Sequence, residues 1–307
     1  MKGQRLVFGI RSYADLARKI ASCGEWTAGK VEVHEFPDGE RYQRILRSVT
    51  GREVVLVGGT VDDRDTLELY DLACSLVKYG ARKLDLIIPY FGYGTMERAV
   101  QSGEVVTAKT RARLLSSIPP APGGIRAFLL DVHSEGVPHY FEGAITTCHV
   151  YGKPFVAKAA RMLAKGDFVL ASTDAGRAKW VQSLAEDMGV DASFVFKRRL
   201  DGRRTAVTAV SAHVEKRHVI IYDDMIRTGG SLLNAAEAYR DAGASKIDVV
   251  TTHGLFPGDA LERIQESGLI GHIHATDSHP GVRGARKGFL TVHPTAPLFV
   301  EALNNHP

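Results

Sequence analysis

Short apolar runs rich in β-branched residues alternate with segments of helical period along this chain, and this alternation restricts its fold more than any other feature. In the first half, an apolar run at residues 53–57 precedes a helical segment at 67–78 and a second apolar run at 84–89. The second half repeats this order at residues 218–222, 232–241 and 247–252. Strands that alternate with helices are typical of βαβ units. The sequence therefore predicts an α/β fold of mostly parallel sheets flanked by helices.

The two halves also resemble each other in their residues. The segment Gly80-Ala81-Arg82-Lys83-Leu84-Asp85-Leu86 reappears as Gly243-Ala244-Ser245-Lys246-Ile247-Asp248-Val249. In both copies the glycine fits a helix C-terminus, where it adopts a left-handed conformation without steric cost. A chain of 307 residues can also form two cores of ordinary size. We therefore predict duplicated domains at 1–147 and 148–289, with the tail 290–307 joining the first.

Composition and charge exclude several classes of function. The formal net charge is +4 and the basic residues are scattered, which argues against a nucleic-acid partner and is compatible with small anionic substrates. Cys23, Cys74 and Cys148 form no CxxC pair, so neither disulfides nor a cysteine zinc site is predicted, and a reducing cytoplasm is the expected compartment. No run approaches the roughly 18 apolar residues of a membrane span. We expect no membrane association.

The motif that points to chemistry follows the apolar run at 218–222. Asp223 and Asp224 come first, then Arg227 and the small residues Thr228-Gly229-Gly230-Ser231, then a helical segment from residue 232. Unpaired N–H groups and the helix dipole form an anion site at such a turn, and glycines allow phosphate oxygens to approach the backbone. Carboxylates at a strand end can accept hydrogen bonds from sugar hydroxyls. The motif predicts a ribose 5-phosphate site; alternatively, Ser231 only caps a helix and the aspartates mark a turn.

Residues 223–231 resemble the loop that type I phosphoribosyltransferases and phosphoribosyl pyrophosphate synthetases share. The loop alone does not separate these two families. Similarity to the synthetases, however, covers about residues 30–260 and includes further segments in that family's order. These segments are Phe36-Pro37-Asp38-Gly39-Glu40, Pro89-Tyr90-Phe91-Gly92-Tyr93, Asp131-Val132-His133, Thr173-Asp174-Ala175-Gly176, Lys197-Arg198-Arg199 and Thr252-His253-Gly254-Leu255-Phe256.

This resemblance implies two duplicated type I phosphoribosyltransferase-like domains and a ribose-phosphate diphosphokinase activity. Such a transferase converts ATP and ribose 5-phosphate into phosphoribosyl pyrophosphate and AMP for nucleotide biosynthesis. Because no Walker A loop is present, ATP must be held in another way. The resemblance assigns ATP binding to Phe36, Asp38, Glu40, Glu97 and Arg98. The loop containing the first three usually reaches a neighbouring subunit, so a homo-oligomer is implied, although Pro37-Asp38-Gly39 by itself indicates only a turn.

Two further residues are assigned to magnesium by the resemblance. His133 follows the apolar run at 128–132, and the family uses this histidine on the magnesium of the nucleotide. Asp174 follows the run at 168–171 and is implied in the ribose and second metal site. Mg²⁺ prefers oxygen ligands, so the phosphates must supply most of its coordination. The alternatives are a packed or capping histidine and an aspartate at a helix N-cap.

Lys197 and Arg199 are the expected catalytic residues. They follow an apolar run at 193–196 and precede a polar segment at 200–205 that has the composition of a mobile loop. Pyrophosphoryl transfer needs positioning, magnesium, and cations near the oxygens on which charge develops. The alternative for a Lys-Arg-Arg run is a solvated basic surface.

The chain departs from the common synthetases at residues 95–99. Thr95-Met96-Glu97-Arg98-Ala99 replaces an Arg-Gln-Asp-Arg-Lys segment, and Arg227 replaces an aspartate. The altered region is similar to plant class II synthetases, which implies relaxed nucleotide choice and no need for phosphate activation. Two alternative functions remain open at this point: a phosphoribosyltransferase, which predicts a single domain with a hood over the base, and a non-catalytic regulatory subunit of a synthetase.

Overall fold

The computed structural model describes residues 5–199, 205–210, 213–284 and 288–306, without the side chains of 175, 196–199 and 205–209. The chain divides into two compact units, Met1–Tyr151 with Pro294–Pro307, and Gly152–His293. In the described ranges, no helix is both long and apolar enough to cross a membrane.

The first unit is built on a six-stranded sheet in which all neighbouring strands are parallel. The strands of the whole unit are β1 (Leu6–Gly9), β2 (Thr27–Ala28), β3 (Val31–Glu35), β4 (Arg41–Ile45), β5 (Glu53–Val57), β6 (Lys83–Ile88), β7 (Ile125–Leu130) and β8 (Ile145–Val150). Its helices are α1 (Ala14–Cys23), α2 (Asp63–Lys78), α3 (Thr107–Ser116) and the C-terminal α8 (Ala296–Asn305). The sheet order is β2-β1-β5-β6-β7-β8, and β3 and β4 form a separate antiparallel hairpin.

The second unit has the same plan. Its strands are β9 (Phe168–Ser172), β10 (Asp191–Ser193), β11 (Val195–Arg199), β12 (Thr205–Val210), β13 (His218–Ile226), β14 (Lys246–Gly254), β15 (Ile273–Thr276) and β16 (Leu290–His293). Its helices are α4 (Lys153–Leu163), α5 (Ala178–Met188), α6 (Gly230–Asp241) and α7 (Ala260–Glu266). The parallel sheet has the order β10-β9-β13-β14-β15-β16, and β11 pairs with β12 as an antiparallel hairpin.

These matching orders confirm the predicted fold class. In each unit a strand, a helix and a short edge strand precede a hairpin, and the hairpin leads into the strand beside the first one. Gly80 and Gly243 follow corresponding helices with φ of +91° and +89°, as expected for left-handed glycine caps. The helix predicted at 67–78 begins earlier, at Asp63, because the Asp62 carboxylate accepts a hydrogen bond from the Asp65 N–H at 2.8 Å.

Each unit also buries one carboxylate at the amino end of a central strand. Asp85 is 1% exposed and accepts two hydrogen bonds from Arg126, at 2.7 and 2.9 Å. Its counterpart Asp248 pairs with His218 at 2.8 Å and Lys246 at 2.6 Å. Burial alone raises the pKa of Asp248, but the hydrogen bonds from these two partners outweigh it and lower the pKa. The duplication therefore extends to a buried ion pair.

Replacing Arg126 by methionine should destabilise the first unit by about 3–5 kcal/mol, because it leaves the buried Asp85 carboxylate without its counter-charge. Arg113→Met is the matched control, since Arg113 pairs with Glu142 at 3.3 Å on the surface, with more than half of each side chain exposed. An exposed pair contributes at most about 1 kcal/mol. Thermal unfolding of both variants measures the difference, and equal losses would contradict this account of Asp85.

Candidate functional site

The candidate site in the second unit begins at the carboxyl end of β13. The sequence placed the end of this strand at residue 222, but the strand continues to Ile226, because Asp223 pairs with Thr251 and Met225 with His253 on β14. Asp223 and Asp224 thus lie inside the strand rather than after it. Side chains of successive strand residues point to opposite faces. The two carboxylates therefore have different surroundings.

Asp224 is held by an arginine that the sequence did not indicate. Arg177 donates from Nε to Oδ1 at 3.2 Å and its Nη2 lies 2.7 Å from Oδ2, while Asp224 is only 1% exposed. Three residues further on, the Trp180 ring stacks on Tyr222, which shares the strand face of Asp224, at 4.2 Å between centroids. A bidentate arginine fixes the plane of a carboxylate and keeps it ionised. The two partners are 47 positions apart, so no local pattern of the sequence indicates this pair.

Asp223 has a different partner. The Thr173 hydroxyl, at the end of β9, donates to Oδ2 of Asp223 at 3.0 Å. Burial raises the pKa of Asp223 well above its usual value, and the neighbouring Asp224 raises it further. The site therefore combines one carboxylate paired with an arginine and one whose pKa is raised by burial.

The predicted phosphate loop directly follows β13 in the chain. Gly229 has a φ of +81° and precedes α6, whose first intrahelical hydrogen bond runs from the Leu233 N–H to the Gly229 carbonyl at 2.8 Å. Earlier N–H groups of a helix have no intrahelical acceptor. Arg227, Thr228, Gly230 and Ser231 are exposed beside them. The helix begins at Gly230 rather than at 232, so Ser231 lies inside its first turn and is not the cap.

Gly229→Ala should weaken binding of a phosphate at this turn. A Cβ at this position would lie 2.6 Å from Cδ1 of Ile264, and the left-handed backbone adds about 1–2 kcal/mol of strain. We expect an at least tenfold higher KM for ribose 5-phosphate. Gly166→Ala is the matched control, since its Cβ meets nothing within 4 Å and should leave KM unchanged. An unchanged KM in the first variant would contradict a role for this turn.

The first unit contains the corresponding turn between β5 and α2, but its chemistry is opposite. Asp62 caps α2, and Asp63 and Asp65 lie in its first turn. These carboxylates occupy or surround the N–H groups that would otherwise bind an anion. In the described residues, the duplicated fold therefore keeps this phosphate turn in the second unit alone.

The predicted metal ligands Asp174 and His133 lie in different units, each close after a strand. Oδ1 of Asp174 accepts a hydrogen bond from the Gly176 N–H at 2.8 Å, so this aspartate stabilises the turn after β9. His133 is exposed after β7. No group of three His, Cys, Asp or Glu side chains suited to a metal occurs among the residues that the structure describes. A magnesium ion would therefore depend on phosphates and water for most of its ligands.

The predicted ATP-binding residues occupy two segments of the first unit. Phe36, Asp38 and Glu40 meet at the turn between β3 and β4, where the Phe36 N–H donates to the Glu40 carbonyl at 2.8 Å and the Glu40 N–H to Oδ1 of Asp38 at 3.1 Å. Phe36 is 44% exposed at this turn. Glu97 and Arg98 pair with each other at 3.5 Å in the other segment.

The predicted catalytic residues Lys197 and Arg199 lie on β11, not after a strand as the sequence suggested. The pairing of β11 with β12 shifts register between Phe196 and Lys197. Their side chains, and residues 200–204 of the predicted mobile loop, lie outside the described part of the chain.

Comparison with known proteins identifies the family. Residues 5–118 match the model described as "N-terminal domain of ribose phosphate pyrophosphokinase", and residues 174–283 match the "Phosphoribosyl synthetase-associated domain". The ribose-phosphate pyrophosphokinase of Mycoplasma pneumoniae is 31% identical over 97% of this chain and 91% of its own length. The enzyme of the same name from Clostridium perfringens is 32% identical over 97% and 93%.

A solved structure shares the fold. The phosphoribosylpyrophosphate synthetase of Mycobacterium smegmatis superposes with a TM-score of 0.86 over 99% of this chain and 98% of that one, at 24% identity. This structural similarity supports the architecture, and the sequence identity to the two relatives supports the family assignment. The chain belongs to the ribose-phosphate pyrophosphokinase family.

Proposed function

We propose that this protein is a ribose-phosphate diphosphokinase. The anomeric hydroxyl of ribose 5-phosphate attacks the β-phosphorus of ATP, the bond between the β-phosphorus and the α,β-bridging oxygen breaks, and AMP leaves. The hydroxyl proton is lost, and phosphoribosyl pyrophosphate is the second product. The observation that carries the proposal is that, in a chain of this family, Asp223 and Asp224 on β13 are followed by the left-handed Gly229 and the start of α6.

The predicted sugar-phosphate and catalytic residues each have a role in this proposal. The N–H groups at the start of α6 and the hydroxyls of Thr228 and Ser231 bind the 5-phosphate, with Arg227 adding charge. Asp223 and Asp224 accept hydrogen bonds from the ribose hydroxyls. Lys197 and Arg199 remain the proposed cations that stabilise the charge developing during transfer.

The first unit is proposed to hold ATP through Phe36, Asp38, Glu40, Glu97 and Arg98. Because the first three share one hairpin turn with an exposed phenyl ring, we propose that they act as one binding element. As in the family, this element would serve a neighbouring subunit in a homo-oligomer. Three free cysteines are compatible with the reducing cytoplasm that we propose as the compartment.

Magnesium fits the donor set when it is bound together with the nucleotide. In the second unit Asp174 offers carboxylate oxygens, and in the first unit His133 offers one nitrogen; each suits an ion that keeps phosphate and water ligands. Bound there, the ion would neutralise charge on the triphosphate. The protein side chains orient the sugar and the phosphates whether or not the ion is bound.

Product analysis tests the proposal. Purified protein with magnesium, ATP and ribose 5-phosphate should form AMP, and omission of ribose 5-phosphate should abolish it. Formation of ADP would indicate simple kinase chemistry and contradict the proposal. Lys197→Ala should lower kcat by at least about hundredfold if it stabilises the transition state.

We further propose behaviour of the plant class II type. The segment at 95–98 is ordered without the common Arg-Gln pair: the Met96 N–H donates to the Tyr93 carbonyl at 2.8 Å and the Tyr140 hydroxyl to the Glu97 carbonyl at 2.6 Å. Fewer side chains are then available to select adenine. We expect similar kcat/KM for several nucleoside triphosphates and little response to inorganic phosphate. Strict ATP use with strong phosphate activation would contradict this subtype.

A non-catalytic regulatory subunit is a second candidate, favoured by the description of the family model that matches residues 174–283. The retained Asp223, Asp224 and left-handed Gly229 favour an enzyme. Calorimetry separates the two, because a regulatory subunit would bind ribose 5-phosphate without forming AMP. The phosphoribosyltransferase alternative predicted a single domain and does not fit two units.

A further inference from the structure

The hairpin of β3 and β4, whose turn carries three of the proposed ATP-binding residues, is separate from the parallel sheet of the first unit. A two-stranded hairpin is only marginally stable by itself, so its position depends on contacts with the rest of the unit. At the end away from the turn, Val31 pairs with Ile45, and both pack against the core of the unit. At the other end, residues 34–40 are exposed. Apolar packing therefore anchors the hairpin at the end that lies away from the turn.

Charged residues flank the turn itself. Glu35 and Arg41 form the last register pair of the hairpin, immediately before and after residues 36–40. Nη1 of Arg41 lies 2.6 Å from Oε2 of Glu68 on α2, and its Nη2 donates to the Arg64 carbonyl at 3.4 Å. Glu35 forms an ion pair with the side chain of Arg64. Both sides of the turn are thus tied to the amino-terminal half of α2.

The two ion pairs differ in burial. Glu68 is 3% exposed, and its Oε1 accepts a hydrogen bond from the Arg11 N–H at 3.0 Å. The backbone that follows β1 therefore holds this carboxylate in the orientation in which it meets Arg41. In the pair of Glu35 and Arg64, more than a third of each side chain is exposed, and such pairs contribute little. The Arg41–Glu68 pair is therefore the contact that fixes this end of the hairpin.

The turn between the two pairs is ordered by its own contacts. The Gly39 N–H donates to the Phe36 carbonyl at 2.9 Å. The Phe36 ring packs edge-on against the His34 ring, with 4.9 Å between the centroids, and His34 stacks on Tyr42 across the hairpin at 4.4 Å. A turn that is held together in this way moves as one body. The ion pair that flanks it then determines where its side chains lie.

We infer that Arg41 is a positioning residue for ATP binding. Through its ion pair with Glu68 it holds the turn at residues 36–40 beside α2, and it acts through this turn rather than by contact with the substrate. The inference rests on the role in ATP binding that we propose for the turn. A binding element that is displaced by about 1 Å can lose a large part of its effect. The KM for ATP should therefore depend on Arg41, whereas the KM for ribose 5-phosphate, which is proposed to bind to the second unit, should not.

Steady-state kinetics of matched variants of the full-length protein tests this inference. Arg41→Met should raise the KM for ATP at least about tenfold and leave kcat and the KM for ribose 5-phosphate unchanged, as expected for lost ground-state binding. Arg41→Lys, which keeps the charge, should recover part of the affinity. Arg44→Met is the matched control and should behave like the parent, because Arg44 lies on the same strand but pairs with Glu32 of the hairpin itself, at 3.7 Å. Equal KM values for ATP in Arg41→Met and the control would overturn the inference.

A double variant separates positioning from folding. Arg41→Met leaves the buried Glu68 carboxylate without its counter-charge, which destabilises the unit. Arg41→Met/Glu68→Gln removes this charge and keeps an acceptor for the Arg11 N–H, so the thermal stability should return towards that of the parent. The KM for ATP should stay raised, because the turn is still not tied to α2. If the KM recovered together with the stability, the effect of Arg41 would lie in folding alone and the inference would be wrong.

Phe36→Ala separates this inference from the proposed function. The substitution should raise the KM for ATP, because Phe36 belongs to the proposed binding turn. A raised KM in Phe36→Ala with an unchanged KM in Arg41→Met would overturn the inference and leave the proposed function standing. An unchanged KM in both variants would contradict the role of the turn in ATP binding, and the inference with it.

Discussion

Arg177→Gln should lower kcat/KM for ribose 5-phosphate by about hundredfold or more at neutral pH. The substitution removes both hydrogen bonds and the counter-charge from Asp224, which is 1% exposed. Removing one partner of a buried ion pair costs about 3–5 kcal/mol, so the carboxylate binds a proton more readily. Arg177→Lys should be intermediate, because an ammonium group keeps the charge but not the bidentate geometry.

The activity of Arg177→Gln should depend on pH in a predictable direction. Arg177 favours the ionised form of Asp224, so its loss raises the pKa of that carboxyl group. Asp223 already has a raised pKa through burial and the proximity of Asp224. Activity that requires ionised carboxylates should therefore be lost at low pH and partly recovered as the pH rises, with the acid limb of the profile shifted upwards in the variant. The KM for ATP should change little.

Profiles of kcat/KM between about pH 5.5 and 9 for both substrates provide the measurement. A role limited to folding would lower activity equally at every pH and for both substrates. That outcome, with an unshifted acid limb, would show that Arg177 does not position Asp224 for the sugar.

Thr228→Asp should raise the KM for ribose 5-phosphate by at least about hundredfold. Thr228 is exposed just before Gly229 and the start of α6. A carboxylate there would take up the unpaired N–H groups and repel the 5-phosphate, as the acidic turn before α2 does in the first unit. ATP binding, measured by calorimetry, should be unaffected.

Ser245→Asp is the matched control for this charge, because Ser245 is exposed beyond the opposite end of α6. Its KM for ribose 5-phosphate should equal that of the parent. Equal effects of the two substitutions would mean that the net charge of the protein, rather than the phosphate turn, determines binding of ribose 5-phosphate.

The sequence predicted those features that depend on local pattern. The alternation of strands and helices, the glycine caps at Gly80 and Gly243, and the turn around Gly229 all follow from hydrophobic period and from the backbone freedom of glycine. The duplicated fold could be predicted because its two copies keep the same local signals in the same order.

Features that depend on distant pairing were missed. β13 extends to Ile226 only because β14 continues beside it, and the end of a strand cannot be read from its own residues. The Arg177–Asp224 pair joins residues 47 positions apart, so no local motif contains it. For the same reason the sequence could not show that Asp223 and Asp224 have different partners.

A crystal structure of the protein with ribose 5-phosphate is the most direct measurement of the central claim. We expect the 5-phosphate within about 2.7–3.2 Å of the N–H groups between Gly229 and Ser231, and the ribose hydroxyls at the same distance from Asp223 and Asp224. A 5-phosphate bound elsewhere, or a ribose that leaves both carboxylates uncontacted, would contradict the assignment of this site.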